Sequence, residues 1–77
     1  MLEVYSSRTG ALLYAFEFLN KYYFNVLIYN GRKNLKNIIT KKELLNLLRE
    51  FKNKRYYFNF KGYLFNYDNV ISLIKNL

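Results

Sequence analysis

Ser6, Ser7 and Thr9 are the most tightly grouped hydroxyls in the chain, and a hydroxyl becomes a nucleophile only beside a base. The 77 residues include no His to act as that base and no Cys to replace the hydroxyl. The usual proton shuttle, the best nucleophile and the commonest transition-metal ligands are therefore missing together. General acid–base work would fall to a pair drawn from Glu3, Glu17, Glu43, Glu50 and Asp68. Glu43 reads as a capping-box partner, Asp68 as a helix N-cap and Glu50 as a surface helix residue. Glu3 and Glu17 would face each other across an N-terminal hairpin, too exposed to be tuned. The expectation is a protein that is not an enzyme and takes neither metal nor cofactor.

What the chain does carry is positive charge, with 13 Lys and Arg against 5 Asp and Glu and a net charge of +8. Arg32, Lys33, Lys36, Lys41, Lys42, Arg49, Lys52, Lys54 and Arg55 fall between residues 32 and 55, opposed by Glu43 and Glu50. A concentrated basic stretch is the electrostatic footprint of a phosphate-rich partner. Lys41 and Lys42 would occupy the first turn of a helix, where cations oppose the macrodipole. An anion bound at that turn would reverse the sign of this effect. The rival account is a solvated face in a Lys-rich proteome. Lys, Asn, Ile, Phe and Tyr, the residues of AT-rich codons, are all abundant, as in low-GC bacteria, their phages and their plasmids.

Nine Tyr and seven Phe are more rings than so small a core holds. In the segment 55–67, strand alternation puts Tyr57 and Asn59 on one face and Tyr56, Phe58 and Phe60 on the other. Tyr57 and Tyr63, flanked by Lys54, Arg55 and Lys61, have the make-up of a surface that stacks single-stranded bases. They equally have the make-up of a protein–protein hot spot. The segment is similar to an RNA-binding ribonucleoprotein motif in composition alone, since element order and Gly-aromatic spacing differ. A C2 homodimer is one arrangement that would bury the surplus rings.

The elements that must position these residues read as a single domain over 1–77, of α+β class: a small antiparallel sheet in βββ(β)αββα order with two helices packed on it. Residues 2–6 alternate as a strand. Ser7-Arg8-Thr9-Gly10 reads as a tight turn with Gly10 left-handed, and 12–18 as the return strand. A helix over 11–20 would be apolar nearly all round, which a domain this small cannot bury, so the strand is preferred. Residues 22–29 are aromatic and β-branched, and Asn30-Gly31 is the strongest turn signal. Residues 32–39 read either as a short edge strand through Leu35, Asn37 and Ile39 or as a loop. Thr40 and Glu43 open the clearest helix, 40–52, with Leu44, Leu47, Leu48 and Phe51 on one stripe. Residues 55–60 and 63–67 flank a Lys61-Gly62 hairpin, and Asp68 starts a short last helix with Val70, Leu73, Ile74 and Leu77 inward. The most apolar window, 11–29, is interrupted by Glu17, Asn20, Lys21 and Asn25, against a membrane span, and no targeting segment is evident.

These features lead to one expected function: a small basic protein that contacts nucleic acid or a nucleic-acid–protein complex through its Lys/Arg-rich face. The alternative is a phage- or plasmid-type inhibitor or adaptor that covers a host nucleic-acid enzyme with its aromatic residues, as anti-CRISPR proteins do. That likeness is one of size and composition. The partner in either case is anionic: nucleic acid, a ribonucleoprotein or an acidic protein surface. A cytoplasmic setting suits a chain without Cys.

Overall fold

The computed structural model describes residues 1–30 and 33–77. The chain is α+β, with β1 (Leu2–Ser6), β2 (Leu12–Phe18), β3 (Tyr23–Asn30), β4 (Lys33–Thr40), α1 (Lys41–Glu50), β5 (Tyr56–Phe60), β6 (Tyr63–Phe65) and α2 (Tyr67–Lys75). All six strands form one antiparallel sheet in the order β4-β3-β2-β1-β5-β6. The first four strands are a meander, and α1 carries the chain back across the sheet so that β5 pairs with β1.

Alternation explains the core. Leu2 and Val4 of β1 stand beside Phe16 and Tyr14 of β2, which stand beside Val26 and Ile28 of β3. On the other side Leu2 and Val4 meet Phe60 and Phe58 of β5. This set lies under both helices, where Leu44 and Leu48 of α1 and Val70 and Ile74 of α2 are buried with it. The 12–18 segment is thus a strand, and its rings at 14, 16 and 18 face the core. A register shift between Val4 and Tyr5 adds a residue to β2 at its start.

α1 starts where its sequence says. Thr40 is extended, its side chain accepts from the Glu43 N–H, and the Glu43 carboxylate accepts from the Thr40 N–H at 3.0 Å. These bonds hold the Glu43 carboxyl below its ordinary pKa. The second helix differs from expectation. Its N-cap is Asn66, whose side chain accepts from the Asn69 N–H at 2.8 Å, and Asp68 sits inside the first turn. The strand before it is accordingly short, ending at Phe65. Residues 33–40 form a full edge strand and not a loop. Glu3 stands opposite Ala15, so Glu3 and Glu17 do not face each other. The Asn30-Gly31 turn lies outside the described residues.

At the β5–β6 hairpin Lys61 and Gly62 have φ of 52° and 85°, the left-handed pair that a two-residue type I′ turn requires. The Asn59 side chain accepts from the Gly62 N–H at 3.0 Å and ties the turn. A side chain at Gly62 would meet nothing within 4 Å, so any penalty for adding one is backbone strain alone. Gly62→Val is expected to destabilise by about 1–2 kcal/mol. Lys61→Asn is expected to stabilise by about 0.5 kcal/mol, since Asn tolerates this conformation better. Urea midpoints moving in opposite directions confirm the turn; two unchanged midpoints dismiss it.

Candidate functional site

The sheet runs between two ends, and the cations sort by which end they occupy. β5 starts beside the close of β1, where the Ser7 N–H donates to the Arg55 carbonyl at 2.8 Å. That bond sets the β1–β2 turn, with Arg8, against the exit of α1. A cleft there is lined by Ser6, Arg8, Arg55 and Tyr56. α1 ends at the same place: the Phe51 ring packs on Tyr14 and Tyr56, with centroids 4.8 Å and 5.3 Å apart. Arg49 lies in its last turn, and Lys52, Lys54 and Arg55 follow it, all exposed, as is Arg8. Arg8 and Arg55 therefore share a cleft at one end of the sheet, and Arg49, Lys52 and Lys54 stand within six residues of Arg55 along the chain, as does Glu50. The Glu50 carboxylate is felt at Tyr14, whose phenol is pushed above its ordinary pKa, chiefly by burial and then by Tyr56 and Glu50.

The remaining sequence candidates are dispersed. Lys42 is exposed on α1. Lys36 lies on β4 and faces away from the helices, in register with Leu27. Lys33 is placed by its backbone pairing with Asn30, and Arg32 lies outside the described residues. Tyr57 is on the helix-free face of the sheet, whereas Tyr63 pairs with Phe60 on the other face and is 72% exposed at the sheet's edge. Lys61 sits at the far end of β5 from Arg55. The aromatic hairpin is thus divided: Phe58 is core, Tyr56, Phe60 and Phe65 pack against it, and Tyr57 and Tyr63 point to opposite sides.

Lys41 has a different occupation. Its ammonium reaches across to the end of α2, donating to the Lys75 carbonyl at 2.9 Å and the Leu77 carbonyl at 3.5 Å. A cation at a helix C-terminus is favourable, so one ammonium that opposes the α1 dipole supports that of α2. The opposition to the α1 macrodipole expected of both Lys41 and Lys42 therefore splits by position. Lys41→Glu is expected to destabilise by about 1 kcal/mol, while Lys42→Glu leaves stability level or slightly raised. Separate thermal melts of the two single variants measure the split, and equal shifts would remove the cross-helix tie.

The helix-free face holds few cations and two of the acids. Tyr5 and Tyr57 stack at 5.0 Å with 9° between their planes. The Tyr5 phenol is raised above its ordinary pKa by desolvation, then by the Glu3 carboxylate and the phenols of Tyr57 and Tyr29. Glu17 accepts from the Asn25 amide at 2.9 Å on the same face, and Asn25 is buried with its Oδ1 unpartnered. Glu3 and Glu17 disfavour a phosphate chain on this surface.

Arg8 is the residue that sequence reasoning missed. It stands far from residues 32–55 along the chain, and only the pairing of β1 with β5 brings it to them. Among the described residues, no group of three or more acidic side chains is placed to hold a metal ion. Nor is any helix there long and apolar enough to cross a membrane. No protein-family model matches the chain, and neither a curated protein nor a solved structure does.

Proposed function

We propose that the protein is a non-enzymatic binding module that contacts nucleic acid, alone or within a nucleic-acid–protein complex, through the basic end of the sheet. The observation that carries this reading is the meeting of Arg8 with Arg55 in one cleft, where two chain-distant basic segments are held together by the Ser7–Arg55 backbone bond and Lys54 is the next residue along the chain. On this reading Arg49 and Lys52, exposed at the exit of α1, extend the same surface. Convergence from separate segments is what an anion-binding surface needs, and drift in codon usage has no reason to produce it. The reading is of affinity for phosphates and not of base readout, because five cations on an open surface supply charge without a groove-reading element.

The test is the salt dependence of binding to a single-stranded RNA and to duplex DNA. Each phosphate neutralised contributes a slope of about −0.7 for single strands and about −0.9 for duplex in log K against log salt. Five contacts give slopes of roughly −3.5 and −4.5. A flat dependence would refute the reading.

A protein partner, as an inhibitor or adaptor would have, is favoured by a different observation, the stacked Tyr5–Tyr57 pair on the helix-free face. Such an interface is far less sensitive to salt than a phosphate contact. Affinity that holds at high salt and falls on Tyr57→Ala would transfer the function to that face.

A further inference from the structure

β4 is an outer strand of the sheet, and its eight residues make it as long as any strand of the fold. The direction of its backbone groups follows from one bond. The Lys41 N–H donates to the Tyr22 carbonyl at 2.9 Å, which makes that pair a hydrogen-bonded position of the β3–β4 ladder. Hydrogen-bonded positions recur every second residue, so Ile39, Asn37 and Leu35 bond to Phe24, Val26 and Ile28. The N–H and C=O groups of Lys36 and Ile38 therefore point away from the sheet.

The side chains beside that open edge are unusual for a strand left in water. Ile38 is 62% exposed on the helix-free face and Leu35 is 57% exposed on the helix face. A concavity next to Ile38 is lined by Leu19, Asn25, Lys36, Asn37 and Ile38. Asn25 is 5% exposed there, and its Oδ1 has no hydrogen-bond partner. A buried orphan acceptor beside a free sheet edge is costly for folding and suited to receiving a donor. Natural edges are usually shortened, bulged or covered; β4 is blunted among its described side chains by Lys36 alone.

We propose that the outer edge of β4 is a docking site for an extended, acidic segment of a partner protein, which adds to the sheet as a further strand. Lys36 selects the occupant by charge. Its ammonium stands on the helix-free face, where a residue of the incoming strand comes directly opposite, and a carboxylate there is attracted. A second copy of this chain would bring the same Lys-bearing strand and another net charge of +8, so the edge repels its own kind while admitting an acidic one. Backbone bonds to Lys36 and Ile38 supply the affinity, and Ile38 with its concavity receives an apolar or hydroxyl side chain two residues along the added strand.

The probe is a synthetic peptide of the length of β4 in which Glu alternates with Val and Thr. Titrated into the isotope-labelled protein, it is expected to shift the amides of Lys36 and Ile38 and slow their exchange with solvent. The same peptide with Lys in place of Glu is expected to bind at least about tenfold more weakly. Lys36→Glu is expected to invert that preference. Ile38→Pro removes one outward donor and leaves the β3–β4 bonds intact, and it is expected to weaken the acidic peptide by about tenfold or more. Should Ile38→Pro fail to fold, the inversion by Lys36→Glu decides alone. Shifts confined to the basic end, an acidic peptide bound no better than the basic one, or amide protection that grows with protein concentration in the absence of peptide would each overturn the proposal. The last would make the occupant a second copy.

Discussion

Phe16→Ala is expected to lower the unfolding free energy by about 3–5 kcal/mol. Phe16 is fully buried on β2, between Leu2 of β1 and Val26 of β3, and its ring lies parallel to Tyr14 at 6.2 Å. The neighbours that would have to move into the vacated space are strand residues pinned by ladders on both sides, so the cavity closes only in part. A domain of this length has roughly 4–12 kcal/mol to lose, since stability runs at about 0.05–0.15 kcal/mol per residue. No disulfide compensates, because the chain has no Cys. One substitution therefore removes at least about a quarter of the stability, and all of it at the lower end of that range. Tyr63→Ala is the control: that ring is 72% exposed, and its loss is expected to change stability by less than about 0.5 kcal/mol. Urea titrations of the two variants make the comparison, and similar midpoints would contradict the assignment of the core.

The same residue shows which parts of the fold were legible. Phe16 lies in the segment where a helix and a strand competed on sequence. The sequence favours the strand because a helix apolar on every side has nowhere to pack, and Tyr14, Phe16 and Phe18 do share the core face. Local signals of this kind also carried the start of α1, where the capping box forms, and the two turns in which Gly10 and Gly62 have positive φ. The cap of α2 is not legible in the sequence because Asn66 and Asp68 are equally good caps and stand two residues apart; the structure uses the earlier one. Residues 32–39 are ambiguous in sequence because an edge strand lacks the clean alternation of a half-buried one, and Leu35 and Ile38 are exposed on opposite faces.

The candidate site was less legible than the fold, for a physical reason. A run of cations along the chain marks a surface only if the chain stays together, and here a helix intervenes. Lys41 was drawn to the carbonyl end of α2, Lys36 went to the helix-free face, and the exit of α1 joined a turn from the other end of the sequence. The pairing of Ser6 with Tyr56 is not written in any local pattern, because it depends on α1 crossing the sheet. Charge counting found the basic excess but not the residue, Arg8, that gives it a shape.

Arg8→Glu combined with Lys54→Glu and Arg55→Glu is expected to reduce affinity for single-stranded RNA by at least about a hundredfold at low salt while the fold is retained. The three side chains are exposed, and the bond that joins their segments is made by the backbone of Ser7 and Arg55, which substitution leaves in place. Surface changes of this kind usually alter stability by no more than about 0.5 kcal/mol each. The loss has two parts. Three contacts to phosphate disappear, which flattens the salt slope by about 2 for single strands. Three carboxylates then repel the same phosphates, and that repulsion is strongest where screening is weakest. The gap between parent and variant is therefore expected to narrow as salt rises, a signature that loss of folded protein does not produce. The decisive comparison is between single variants. If Arg8 belongs to the same surface as Arg55, then Arg8→Glu and Arg55→Glu reduce affinity by similar factors despite their separation along the chain. Full affinity in Arg8→Glu, with loss confined to the Lys54 and Arg55 variants, would leave a basic segment without a basic end. Full affinity in the triple variant would rule the surface out and leave the stacked Tyr5–Tyr57 face as the site to test.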